Sequence, residues 1–412
     1  MRATLNCHRM NPSPAEPRAA WVVVWACFVA LAVIFGVSYS FAAFFAPLST
    51  AFNAQRADVS LVFGLSGLVY FLGGAGGGLL ADRYGPQRVC SAGMVLIAAG
   101  LLGSSLAPSM TAIYWAYGVG IGLGIALVYT PAIACVQPWF KRRRGLAAGI
   151  ASAGIGAGTV AVPLAATALI GALQWRGALQ ALAGGVLLLG LGATLLLRRA
   201  PAATATAGGA AVAGHTLGQA LATPQFRWLY GMAVLASPSM FIPFAHVSAA
   251  ARDLGVGDAR AVGLVGLIGI GSLVGRFAIG ALADRLGRTR TLALSQAAMG
   301  LSYLLWGAAG GYPMMATFAL LLGLTYGGIV SLMPALCMDL FGARAVSAII
   351  GTLYTGAAFG NLLGPWLAGL IFDASRSYSP VIWGCGLLSA LATAAVWRLL
   401  RQPAPSLAAT AG

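Results

Sequence analysis

Arg276 lies inside a long apolar run, seven residues before that run gives way to Asp284 and Arg285. As a helix rising 1.5 Å per residue, it sits about 10 Å from the end of the run. If the run spans a lipid bilayer, a guanidinium there costs at least about 2.5 kcal/mol unless it faces a cavity or a counter-charge. The chain has eight acids, Glu16, Asp58, Asp82, Asp253, Asp258, Asp284, Asp339 and Asp373, all in loops, tails or the ends of apolar runs. The natural counter-ion is then a carboxylate from outside the protein, taken by the planar guanidinium fork. The other reading is a side chain that snorkels to the surface or caps a backbone carbonyl.

A few other residues have side chains suited to a polar cargo. His246 could bond a ligand or carry a proton, or simply be satisfied by nearby backbone. Tyr39, Tyr129, Tyr326 and Tyr354 each offer an apolar ring and one hydroxyl, which suits a small organic acid, or ordinary helix packing. Phe359 is a weaker candidate for an apolar wall. Two loops repeat an Asp-Arg pair, Asp82/Arg83 and Asp284/Arg285, and read as conformational latches, since a carboxylate there can meet a helix N-terminus or a basic residue. The basic run Lys141–Arg144 reads as a topology signal against anionic lipid headgroups, or as part of the same latch.

Catalytic and cofactor chemistry finds no support. The six Cys are scattered without CxxC or metal-like spacing. There is no GxSxG elbow, HExxH or P-loop, so neither an enzyme nor a metal, cofactor or ATP site is expected. The glycine runs at 74–78 and 154–158 lack a preceding strand and read as close helix packing.

The elements that hold these residues follow from composition. Of 412 residues, 59% are hydrophobic and 8% charged, against about 25% charged in soluble proteins. Most of the surface must therefore face lipid. The formal net charge of +16 does not form one exposed basic stripe, so nucleic acid is not an expected partner. Apolar runs predict twelve helices, at 21–48, 57–80, 88–107, 111–136, 145–172, 177–197, 227–251, 260–283, 290–309, 313–338, 345–372 and 380–400. The run from Trp21 is too long for a signal-peptide core, so no cleaved leader is expected. With twelve spans, eighteen of the 24 Lys and Arg residues fall on one side and five on the other, leaving Arg276 inside a helix. The positive-inside rule then places both termini in the cytoplasm.

The halves repeat. Gly78-Leu79-Leu80-Ala81-Asp82-Arg83-Tyr84-Gly85 recurs as Gly280-Ala281-Leu282-Ala283-Asp284-Arg285-Leu286-Gly287, an offset of 202 residues from Asp82 to Asp284. The same offset carries Gly149, Gly154, Gly158 and Pro163 onto Gly351, Gly356, Gly360 and Pro365. The expected fold is an all-α integral membrane protein of two pseudo-symmetric six-helix bundles, at 1–197 and 227–412, joined by a cytoplasmic linker at 198–226. Parallel halves of this kind place a substrate site at their midplane interface.

The doubled GxLADRxG element resembles the loop signature of the major facilitator superfamily, over nearly the whole chain. Within it, Phe35–Phe41, Tyr129-Thr130-Pro131, Trp139–Gly145, Phe241–His246 and Gly275-Arg276-Phe277 look like the bacterial branch of the monocarboxylate transporter family, near the oxalate/formate antiporters. The resemblance implies transport of small organic acids such as lactate, pyruvate or formate, and the two-half plan implies alternating access. Proton coupling, through His246 or the substrate's own proton, is the expected mode, with a facilitator or an anion exchanger equally compatible. A bacterial inner membrane and a monomeric unit are also expected. The resemblance also implies that Arg276 binds the substrate carboxylate. The stretch Phe41–Phe44 lacks the first-helix Lys of animal members, and Ser272 stands where they place an Asp. The eleventh-helix stretch Thr355–Phe359 lacks the antiporters' second cation, which favours one carboxylate over two. A drug or metabolite exporter and an organic-anion exchanger are the alternatives.

Overall fold

The computed structural model describes residues 18–140, 144–199, 214–342 and 344–403. Lys141, Arg142 and Arg143 of the basic run, residues 200–213 of the expected linker, and Glu16 lie outside them. The described residues form helices without a β-strand. Ten helices are long and apolar enough to cross a bilayer, one of them the 49-residue Leu146–Thr194. A straight helix of that length would reach about 73 Å, far beyond a bilayer core of about 30 Å. It breaks at Gln174, where φ is 59° and ψ 171°. Beyond the break, Arg176 donates to the carbonyls of Ser105 and Ala107, while Thr194 meets Ser91. The second piece therefore runs back antiparallel to the helix 86–105.

With this reversal counted, and with Arg288–Gly307, whose first turn carries Arg288 and Arg290, twelve helices result. They are α1 (Arg18–Phe52), α2 (Arg56–Tyr84), α3 (Pro86–Ser105), α4 (Met110–Val136), α5 (144–173), α6 (175–194), α7 (Pro224–Asp253), α8 (Asp258–Leu286), α9 (Arg288–Gly307), α10 (Tyr312–Phe341), α11 (Val346–Ser375) and α12 (Ser379–Leu400). Most run a few residues past the apolar stretch that marks them in the sequence, because a helix continues into the polar interface whereas hydropathy registers its lipid-facing core. The expected linker also holds structure: Thr216 and Gln219 form a reciprocal cap on a short helix, Leu217–Ala222, and Thr223 caps α7 ahead of Pro224. An even number of spans puts both chain ends on one face, here termed the termini face, with the Asp82 and Asp284 turns. The opposite, distal face carries the turns at Asn53, Gln174 and Arg376.

The repeated motif has a physical basis in its last residue. Gly85 and Gly287 have φ of 93° and 84°, end α2 and α8, and start α3 and α9. That backbone region is open to glycine and strained for other residues. The repeated glycines on α5 and α11 hold matching positions. A Cβ on Gly154 or Gly158 would lie 2.1 or 1.9 Å from the carbonyls of Phe28 and Ala32 on α1. One on Gly360 would lie 2.2 Å from the Ser237 side chain on α7. The α5 and α1 backbones touch at Gly154 and Gly158, and α7 packs directly on Gly360, because nothing larger than hydrogen stands between them. Between the halves, α2 packs on α11, α5 on α8, and α1 on α7.

Candidate functional site

A cavity of about 830 Å³, its open mouth included, lies between the halves. Helices α1, α2, α4 and α5 line it from one half, and α7, α8, α10 and α11 from the other. Its residues come from the middle and the termini-facing parts of these helices, such as Phe35 of α1, Tyr129 of α4, Met333 of α10 and Ile350 of α11. Arg276 is its sole charged lining residue among those described.

Arg276 is placed by a backbone-to-backbone approach. A Cβ on neighbouring Gly275 would sit 1.9 Å from the carbonyl of Leu324, and one on Gly327 would sit 2.1 Å from the carbonyl of Ser272. This contact between α8 and α10 brings Arg276 and Tyr326 to the same wall. Arg276 is half-buried, and its Nε is buried without a hydrogen-bond partner among the described residues. Among the described residues, no Asp or Glu lines the cavity. The tyrosines expected beside it are Tyr39, Tyr129, Tyr326 and Tyr354.

Three of these four expected tyrosines, Tyr129, Tyr326 and Tyr354, line the cavity itself. Tyr39 lies just behind, its hydroxyl 3.2 Å from that of Tyr326 and its ring stacked at 4.1 Å on Phe244. Sequence reasoning missed Tyr70, Phe71 and Phe241, which close one end. Tyr70 and Phe71 stand beside a glycine run in α2, where an apolar window gives no sign of which face is lipid and which is cavity. Phe359 is not brought to the site: it is 50% exposed on the outside of α11. Five residues separate it from Tyr354, which turns it well away on a helix of 3.6 residues per turn.

His246 is also elsewhere, in a seal on the distal side of the cavity. The residues Ile34 to Phe45 of α1 and Ser239 to Ala251 of α7 are buried on every side. Arg56, at the start of α2, joins the halves above them. It forks onto Asp253 at 2.6 and 2.8 Å, donates to the Tyr378 hydroxyl at 2.8 Å, and stacks 3.8 Å from the Phe372 ring. The backbone amides of Arg56 and Ala57 donate to the Asp373 carboxylate, which thereby caps α2 from the other half. His246 is fully buried beneath, with Nε2 2.8 Å from the Pro365 carbonyl and Nδ1 2.9 Å from the Tyr378 hydroxyl. A carbonyl can only accept, so Nε2 carries the proton, and in the neutral ring Nδ1 accepts from Tyr378. Burial pushes the Tyr378 phenol well above its ordinary value, with the Arg56 charge pulling the other way.

The termini face differs. Asp82, Arg83, Asp284 and Arg285 are exposed, and neither acid forms an ion pair among the described residues. Arg199 instead donates to the backbone carbonyls of Ala81 and Asp82, and Arg288 pairs with Asp339. The described residues contain no cluster of His, Cys, Asp and Glu fit for a metal.

A family model described as Major Facilitator Superfamily matches residues 26–275 and 228–412. Monocarboxylate transporter 13 of Rattus norvegicus is 31% identical over 387 residues, covering 93% of this chain and 89% of that protein. Monocarboxylate transporter 3 of Rattus norvegicus is 30% identical over 394 residues, covering 92% and 79%. Among solved structures, a bacterial homologue of the human lysosomal transporter Spinster, in an inward-facing and occupied conformation, matches with a TM-score of 0.74 at 15% identity. That match covers 94% of this chain and 98% of the other, and at such identity it bears on the fold alone.

Proposed function

The chain belongs to the major facilitator superfamily, on its monocarboxylate transporter-like branch, and from that premise we propose that it carries monocarboxylates across a membrane by alternating access. The class includes lactate- and pyruvate-like acids. Arg276 takes the carboxylate, and the hydroxyls of Tyr129, Tyr326 and Tyr354 orient it. The observation that carries this reading is a half-buried guanidinium with an unpartnered Nε, in a cavity lined by no acid. An anionic cargo supplies the missing charge, and a bound ion pair crosses the apolar core at lower cost than either ion alone.

The two faces fit one stage of such a cycle. The distal seal is made, and the Asp82 and Asp284 latch is unmade. Opening the other way would break Arg56 from Asp253 and let the two Asp-Arg turns find partners on the termini face. The distribution of Lys and Arg favours a cytoplasmic termini face, and on that reading the cavity opens toward the cytoplasm. A bacterial inner membrane and a monomeric unit are part of the same proposal. Protons are proposed to move in the same cycle, with His246 in the distal seal as the titratable group.

The test is uptake of labelled lactate, pyruvate, formate, acetate and oxalate into proteoliposomes, with and without an inward proton gradient. Arg276→Gln is expected to lower monocarboxylate uptake about thirtyfold or more, the effect of leaving a desolvated charge without its partner. Normal uptake by that variant would overturn the assignment. Gradient-independent uptake would point to facilitation or exchange instead of symport.

A further inference from the structure

The carboxylate reading of Arg276 leaves open what the rest of the cargo is, and the cavity beyond Arg276 is informative. On α8, Arg276 stands ten residues from the helix end at Leu286, or about 15 Å along the axis from the termini face. Tyr326 stands fifteen residues from its own end of α10 at Phe341, and Phe241 seventeen from the start of α7 at Pro224. By helical rise both lie about one to two turns deeper than the guanidinium. The cavity's inner end is therefore set beyond its charge, and it is walled by aromatic rings. Phe35 meets Tyr70 edge-on at 6.3 Å, Tyr70 lies 4.1 Å from Phe71, and Phe71 meets Phe241 at 5.8 Å.

The remaining wall is soft and apolar. Met232, Met240 and Met333 also line the cavity, and such side chains adapt to the shape of an apolar guest and favour aromatic edges. Among the described residues, no amide and no second charge lines the space. The Ser237 hydroxyl is already engaged with the carbonyl of Ala233. An acid of two or three carbons held at Arg276 would leave this inner end empty or wet. Apolar walls contribute to binding by the area they cover, and so short an acid would leave the inner aromatic rings uncovered.

We propose that the preferred cargo is an arylalkyl monocarboxylate, one carboxylate joined through a short alkyl chain to an aromatic ring. The carboxylate meets Arg276 while the ring enters the inner end between Phe35, Tyr70, Phe71 and Phe241. The chain spans the one to two turns that separate charge from ring.

The test is equilibrium binding to the purified full-length protein in detergent, with acetate, lactate, 3-phenylpropanoate and 3-phenylpropanamide as probes. The expected result is 3-phenylpropanoate binding at least about tenfold tighter than lactate, a low bound for burying several apolar groups. Phe241→Ala should reduce the 3-phenylpropanoate-to-lactate affinity ratio by about tenfold. Because that ratio is taken within one preparation, the folded fraction cancels. Lactate binding as tightly as 3-phenylpropanoate, in an Arg276-dependent manner, would overturn the arylalkyl proposal and leave monocarboxylate transport standing. The amide binding as tightly as the acid would instead overturn the role of Arg276.

Discussion

At the residue scale, the proposed site rests on one guanidinium and the hydroxyls around it. The fork geometry matters as well as the charge, because a lysine ammonium presents no planar pair of donors. Arg276→Lys is therefore expected to retain measurable monocarboxylate uptake but at weaker apparent affinity, while Arg276→Gln loses it. Equal loss in both variants, with wild-type folding, would mean that something other than charge is needed. Tyr326→Phe removes the hydroxyl-to-hydroxyl contact with Tyr39. A neutral hydrogen bond of this kind is worth about 1 kcal/mol, so a change of several-fold in apparent affinity is expected, read from competition binding. Arg276 was legible in the sequence because a cation in an apolar run is costly wherever the helix points. The three cavity tyrosines were legible by type, but so was Phe359, which faces outward, since type says nothing of rotation about the helix axis.

At the element scale, paired glycines decide how closely helices approach and hence where Arg276 lies. Gly275→Val would drive a side chain into the Leu324 carbonyl of α10, and overpacking at a fixed backbone contact costs about 1–3 kcal/mol or more. A lower unfolding temperature in detergent and loss of uptake are expected. Gly280→Ala, one turn further along α8 with open space around it, is the matched control and should leave both unchanged. A Gly275→Val protein as stable as wild type would mean that α8 and α10 are free to move apart. The twelve spans were legible from hydropathy. The break at Gln174, the short helix Leu217–Ala222 and the extension of helices beyond their apolar cores depend on capping and turn geometry, which hydropathy does not register.

At the scale of the whole molecule, the distal face is held across the halves by Arg56, Asp253, Asp373, Phe372 and Tyr378. The ion pair is partly exposed, with 21% and 39% of the Arg56 and Asp253 side chains accessible, so its share alone is small, about 1 kcal/mol or less. Arg56→Gln removes the pair, the ring contact and the Tyr378 bond together. It is expected to shift the population several-fold toward distal opening, measured as faster labelling of a cysteine introduced beneath the seal. Unchanged labelling would show that the buried stretches of α1 and α7 close the face unaided. His246→Gln is expected to abolish proton-driven accumulation while sparing exchange of one labelled acid for another. Accumulation that survives this change would place the proton on the cargo.

The sequence by itself determined the class of molecule. Scarce charge forces a lipid-facing surface, the offset of 202 residues reveals two related halves, and an Arg in an apolar run marks the place to look for a ligand. These follow from composition and order along the chain, where the cost of burying charge is local. The tertiary structure alone decided that Tyr70, Phe71 and Phe241 close the cavity, that His246 belongs to a seal, and that Arg56 joins the halves through partners up to 322 residues away. Such contacts arise from helix rotation and from approach between helices distant in sequence, and neither is written in any single run of residues.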